Sequence, residues 1–249
     1  MSVAGPAPLD LMRQRVTGLG IAAAIIAAWL AIHVTGIFFW SWRWATVPLA
    51  LAMVAMQIWL STGLFIIAHD AMHGTLTPGW PRVNRAVGSA CLGLYATLSY
   101  RELLPKHAAH HRHSGLAGDP DFHADDPYRL LPWFGRFVRG YYTHSQILRI
   151  TAVALAYILL FGARLENIVL FWAVPALLAL VQLFVFGTYL PHRHSAEPFA
   201  DHHRARSSAA SPLVSLLTCF HFGGYHREHH LTPGVPWWRL PAVRRAARR

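Results

Sequence analysis

Three clusters of histidine hold the side chains of this sequence best able to do chemistry. His226, His229 and His230 stand at i, i+3 and i+4, a spacing that on a helix confines three imidazoles to an arc of about 100° and lets three ring nitrogens converge on one place. His107, His110 and His111 repeat the pattern, and His69 and His73 form an i, i+4 pair. Neutral imidazole suits iron, zinc and copper. The motifs contain no comparable group of carboxylates, so magnesium and calcium, which take oxygen donors, are excluded. Eight imidazoles exceed what one ion binds, so two metals are the economical reading, with His192 or His194 as a ninth donor.

Other polar residues have weaker claims. A lone histidine inside an apolar run, such as His33, reads as a hydrogen-bonded interior residue. His113 and His203, with His123, His144, His202 and His221, read as residues around the metals, facing a substrate or solvated, rather than as ligands. Asp70, Asp119, Asp121 and Glu228 are placed to orient ligand rings by accepting their second N–H, although a solvated loop acid explains each equally well.

The elements that must position these groups are membrane helices. Of 249 residues, 54% are hydrophobic and only 13% charged, which is not the balance of an ordinary soluble domain. The formal charge of +11 alone would allow a nucleic-acid partner, but long apolar runs decide for a membrane surface. Cys91 and Cys219 form no CxxC pair, hence neither a disulfide framework nor a zinc ribbon. Four runs, residues 16–40, 45–68, 141–163 and 167–191, are long enough to cross about 30 Å of hydrocarbon, with a possible kink at Pro175. The first is too long for the core of a secretory signal. Residues 86–99 are apolar but short, and would be re-entrant, interfacial or packed on the bundle.

The expected fold class is therefore an all-α integral membrane protein: one domain over residues 1–249, four transmembrane helices, and a cytoplasmic histidine cap formed by residues 69–140 and 192–249. All Lys and Arg except Arg43 and Arg164 fall on the side that carries both termini and every histidine motif. The positive-inside rule makes that side the cytoplasm, and in a bacterium the membrane is the inner one.

At this point the motifs carry a resemblance. One H-x3-H and two H-x2-H-H boxes on a four-span chain resemble the membrane fatty acid desaturase and hydroxylase superfamily. More narrowly, His-Asp-Ala-Met-His-Gly (69–74), Gly-Asp-Pro-Asp-Phe-His (118–123), Tyr-Leu-Pro-His-Arg-His (189–194) and His-Phe-Gly-Gly-Tyr-His-Arg-Glu-His-His-Leu-Thr-Pro (221–233) resemble the bacterial β-carotene ketolases. The likeness covers roughly residues 45 to 241. It implies two ferrous ions held by His69, His73, His107, His110, His111, His192, His226, His229 and His230, because the superfamily pattern Thr-Tyr-Leu-x-His selects His192 over His194. It also implies O2 as co-substrate, electrons from an external donor such as a ferredoxin, and a carotenoid drawn from the bilayer whose ring C4 is hydroxylated twice and dehydrated to a ketone. Trp59, Phe65, Tyr95, Tyr189, Phe222, Tyr225, Trp237 and Trp238 are the aromatic residues available to shape its tunnel, and the C-terminal arginines would receive an acidic donor or anchor to anionic lipid. Two alternatives stand beside this: an acyl-lipid desaturase or hydroxylase with the same irons, and a histidine-rich metal transporter. The transporter would need ligating residues midway through several spans, whereas here histidine gathers at span ends.

Overall fold

The computed structural model describes residues 8–248 and is helical throughout, with no strand among those residues. Helix α1 (Pro8–Val34) continues through a π-turn, Thr35–Phe39. Helix α2 (Val47–Met72) returns beside it. After a turn, α3 (Pro81–Ala96) and α4 (Tyr100–His113) form a hairpin. Helix α5 (Leu130–Tyr141) leads into α6 (His144–Phe161), and α7 (Leu165–His192) is the last long helix. Three short helices, α8 (Pro212–Cys219), α9 (His226–Leu231) and α10 (Leu240–Ala247), complete the chain.

The four helices long and apolar enough to cross a membrane are Asp10–Phe39, Trp44–Met72, His144–Phe161 and Leu165–His192. They coincide with the four expected runs, but the second and fourth continue past the apolar stretch and carry their histidines on the last turn. The third is peripheral: none of its residues is buried, and Leu148, Leu159 and Leu160 are at least 70% exposed, an apolar surface suited to lipid. It is tethered by Tyr157, whose ring meets Phe38 and His33 edge-on, and by Gln146, which donates to Ala96 O at 3.0 Å. His33 is itself buried, stacked on Trp29 and 3.2 Å from the Tyr157 hydroxyl, the hydrogen-bonded interior role expected of it.

Residues 86–99 pack on the bundle. Helix α3 lies along α2 and ends at Thr97, which turns in the left-handed region at φ 52°. The end of the hairpin is then fastened to two spans: the Tyr95 hydroxyl donates to Ala176 O at 3.0 Å, the Trp172 indole to Tyr95 O at 3.2 Å, and Arg149 to Thr97 O at 3.0 Å. These bonds satisfy backbone groups that lipid would leave unpaired. The C-terminal segment departs from expectation. Rather than lying wholly beyond the bundle, α8 runs beside α2 and α7, where the Trp59 indole donates to Leu216 O at 3.3 Å and Phe220 stacks on Trp59. Its outer residues Leu213, Val214 and Leu217 are exposed, as suits a helix sunk against lipid.

Helix α7 is not α-helical throughout. Two π-helical stretches interrupt it, Val169–Ala173 just before Pro175 and Phe184–Tyr189 just before the histidine turn. Each inserts a residue's worth of rotation, so α7 bears more than one inward face.

Candidate metal centre

The helix ends bring nine imidazoles together in two groups. His69, His73, His107, His111 and His229 form one; His110, His192, His226 and His230 form the other; within each, one donor atom per residue lies within 4.8 Å of all the rest. The two groups adjoin, with the rings of His111 and His230 stacked at 4.5 Å between centroids. Neither H-x2-H-H triplet converges on one place as its spacing allows. Each splits the same way: the i and i+4 residues go to one group and the i+3 residue to the other. At 100° per residue, i+3 and i+4 lie about 60° and 40° to opposite sides of i. Two sites on either flank of the helix therefore divide the triplet.

Ring nitrogens face one another closely. His73 and His107 approach through Nε2 at 2.6 Å, His192 and His226 at 2.8 Å, and His230 lies 3.0 Å from His226 and 3.2 Å from His110. Two neutral imidazole lone pairs at such distances repel unless a proton or a cation sits between them, and a cation shared by several rings satisfies them together. Protons are disfavoured in most of these rings. Burial holds His107, His226, His229 and His230 well below the usual histidine range, and lowers His73 to about 4 and His111 to about 2. The donor set, neutral nitrogen without a carboxylate inside either group, fits two ions of the iron, zinc or copper kind.

His110 is the exception. Burial opposes its charge, but Asp119 and Asp121 outweigh burial and raise it to about 9. Its Nδ1 donates to both oxygens of Asp119, at 2.9 and 3.0 Å, which fixes the ring and leaves Nε2 toward the second group. Asp119 is thus a buttress on the far nitrogen of His110, and its grouping with His110 and Asp121 reads as that support and not as a third ion site. Asp119 also accepts from the backbone of Gly115 at 2.9 Å and Asp121 at 2.8 Å, so the loop after α4 folds around its carboxylate. His192 is oriented differently: its Nδ1 donates to Arg204 O at 2.8 Å. A backbone carbonyl leaves no side-chain signal, which is why this support was not readable in the sequence.

The other expected supporting residues fare unevenly. Asp70 is buried, with an oxygen 3.6 Å from His69 Nδ1, and accepts from Trp237 N at 3.0 Å, tying α2 to the C-terminal segment. Asp121 lies 3.7 Å from His110 Nδ1, too far for a hydrogen bond. Glu228 is turned away from the rings and pairs with Arg244 at 2.6 Å, because α10 packs on the outer side of α9. His113 is exposed, on the solvent side of α4. His194 packs its ring on Phe122, Tyr128 and Phe199 instead of on the imidazoles. His203 only flanks the second group, 6.0 Å from His230 between ring centroids.

An apolar cavity of about 450 Å³ runs up to the imidazoles. Its wall on α7 extends from Trp172 to Thr188, roughly 24 Å at 1.5 Å per residue. Ile147 and Ile150 of the peripheral α6 form another wall, and His69, His107, His110, His111, His226 and His229 its inner end. Of the aromatic residues thought able to shape a tunnel, Phe65, Tyr95 and Phe222 line it; Trp59, Tyr189, Tyr225, Trp237 and Trp238 pack elsewhere.

A membrane-helix frame with histidine boxes closing on two adjacent nitrogen-rich sites defines a class, and the chain belongs to it: the fatty acid desaturase family, whose model matches residues 42–152 and 129–249, and within it the group of the β-carotene ketolases. It is 52% identical to a β-carotene ketolase of Paracoccus sp. (strain N81106 / MBIC 01143) over 92% of each chain, and 49% identical to that of Paracoccus sp. (strain PC1) over 94% of this chain and 95% of that one. A zeaxanthin 4-ketolase of Chlamydomonas reinhardtii is 41% identical over 95% of this chain and 55% of its own length.

Proposed function

We propose that this protein converts the C4 methylene of a β-ionone ring to a ketone, taking β-carotene through echinenone to canthaxanthin. The observation that carries the reading is the cavity: an apolar channel, walled by helices whose outer faces suit lipid, ends on the imidazoles, so a hydrocarbon can reach them without crossing water. Its volume falls in the usual range for small-molecule sites. The names of the relatives supply the substrate class.

The two histidine groups would hold two ferrous ions, which when bound supply O2 activation with electrons from an external donor, a ferredoxin in this reading. Each hydroxylation consumes one O2, two electrons and two protons, puts one oxygen atom on C4 and releases the other as water. C4 is allylic, so its C–H bonds are weaker than those of an ordinary methylene. A second oxygenation of the same carbon gives a geminal diol, which loses water to leave the ketone. The chain's part is to keep nine ring nitrogens aimed, to exclude water with Phe65, Tyr95 and Phe222, and to present one ring edge to the metals. Both termini and the histidine cap lie on the cytoplasmic side of a bacterial inner membrane, where the basic residues gather and a soluble donor has access.

Expression in cells that accumulate β-carotene tests this. Echinenone and canthaxanthin are the expected products; a new double bond in fatty acids without either ketone would replace this reading with the acyl-lipid one. The purified chain is expected to carry about two irons.

A further inference from the structure

One carboxylate lines the cavity among the described residues, and the metal sites do not account for it. Asp121 is held at three points: its N–H donates to Asp119 at 2.8 Å, its carbonyl accepts from the Trp133 indole at 2.6 Å, and one side-chain oxygen accepts from the Tyr141 hydroxyl. The other oxygen is 3.7 Å from His110 Nδ1, where both oxygens of Asp119 already serve that nitrogen. Orienting His110 is therefore not its task. A carboxylate oxygen beside an apolar cavity costs free energy unless something pairs with it, and Tyr141 also lines the cavity. An apolar ring offers no such partner, but a ring bearing a hydroxyl does.

Making a ketone by two oxygenations at one carbon creates an alcohol halfway, and that alcohol must stay, or return in the same pose, before the second can occur. We propose that Asp121, held by Tyr141, accepts a hydrogen bond from the C4 hydroxyl of the half-oxidised ring and so keeps it at the metals for the second oxygenation. This rests on the ketolase reading. Asp121 is then a positioning residue, setting how far the reaction runs.

The test compares wild type, Asp121→Asn and Tyr141→Phe in cells accumulating β-carotene, and reads the ratio of 4-hydroxy to 4-keto products, not the total. The ratio is expected to rise about two- to tenfold in Asp121→Asn, the equilibrium worth of one ordinary hydrogen bond, and by a smaller factor in Tyr141→Phe, which frees the carboxyl to turn from the pose that the Tyr141 hydroxyl holds. The ratio is compared at equal conversion of β-carotene, where poorer iron retention, which slows both oxygenations alike, leaves it unchanged. An unchanged ratio in Tyr141→Phe, which leaves the carboxylate in place, overturns the proposal even if Asp121→Asn fails to accumulate. Wild type that forms no ketone refutes the ketolase reading instead, so the two failures are distinct.

Discussion

Asp119→Asn tests how the second histidine group is held. The native carboxylate takes the Nδ1 proton of His110 on both oxygens and the backbone N–H groups of Gly115 and Asp121, and the residue is 1% exposed. Asparagine has a single oxygen. Its amide must turn N–H toward at least one of those donors, and an unpaired buried donor costs about 1–3 kcal/mol. The charge that holds His110 is lost as well. Removing such an outer partner of a metal-binding histidine lowers metal affinity by about 10- to 100-fold, which is roughly 1.4–2.8 kcal/mol. Only the second group contains His110. A graded chelator titration of detergent-purified protein, with iron per chain measured at each step, should show the variant falling from about two irons to about one where wild type still keeps both. Wild-type retention of both irons would refute the buttress role of Asp119, and simultaneous loss of both would refute the division into two groups.

Three further outcomes follow from the geometry. His229→Ala and His230→Ala alter neighbours that belong to different groups, so each chain should retain about one iron, with distinct spectroscopic signatures, while ketone formation falls by at least ~100-fold, more than loss of an outer partner costs. Gly187 lines the cavity and a Cβ there meets nothing within 4 Å; Gly187→Ala should fold and turn over, whereas Gly187→Leu should block product formation with iron content intact. In Glu228, burial works to raise the carboxyl but the Arg244 and Ser207 hydrogen bonds outweigh it and hold it below the usual range. A depressed carboxylate stabilises the fold above its ordinary pKa and loses that contribution as pH falls through the lowered value. Glu228→Gln should therefore cost about 1–2 kcal/mol at neutral pH and give a melting temperature that declines less on acidification than wild type.

The spans were legible because a helix needs a minimum length of apolar residues to cross hydrocarbon, a property of local composition alone. The placement of α3, left open among re-entrant, interfacial and packed, and the excursion of α8 were not, since each is short and depends on partners far away, Trp172 and Ala176 for one and Trp59 for the other. Asp119 and Glu228 looked alike in sequence, both acids beside histidine boxes. Only packing separated them, by setting Asp119 beneath His110 and giving Glu228 to Arg244.

By itself the sequence determined eight of the nine histidines that cluster, because i, i+3 and i+4 share a helical face whatever surrounds it, and helix ends at one membrane surface are confined to a common layer; the ninth, His192 rather than His194, rested on the resemblance. How the nine divide was a matter of tertiary structure. His107 and His111 meet His69, His73 and His229, whereas His110 meets His192, His226 and His230, because α4 and α9 each enter between the two sites. A helix in that position gives its i and i+4 side chains to one flank and its i+3 side chain to the other, and which flank is which depends on neighbours that no local spacing specifies.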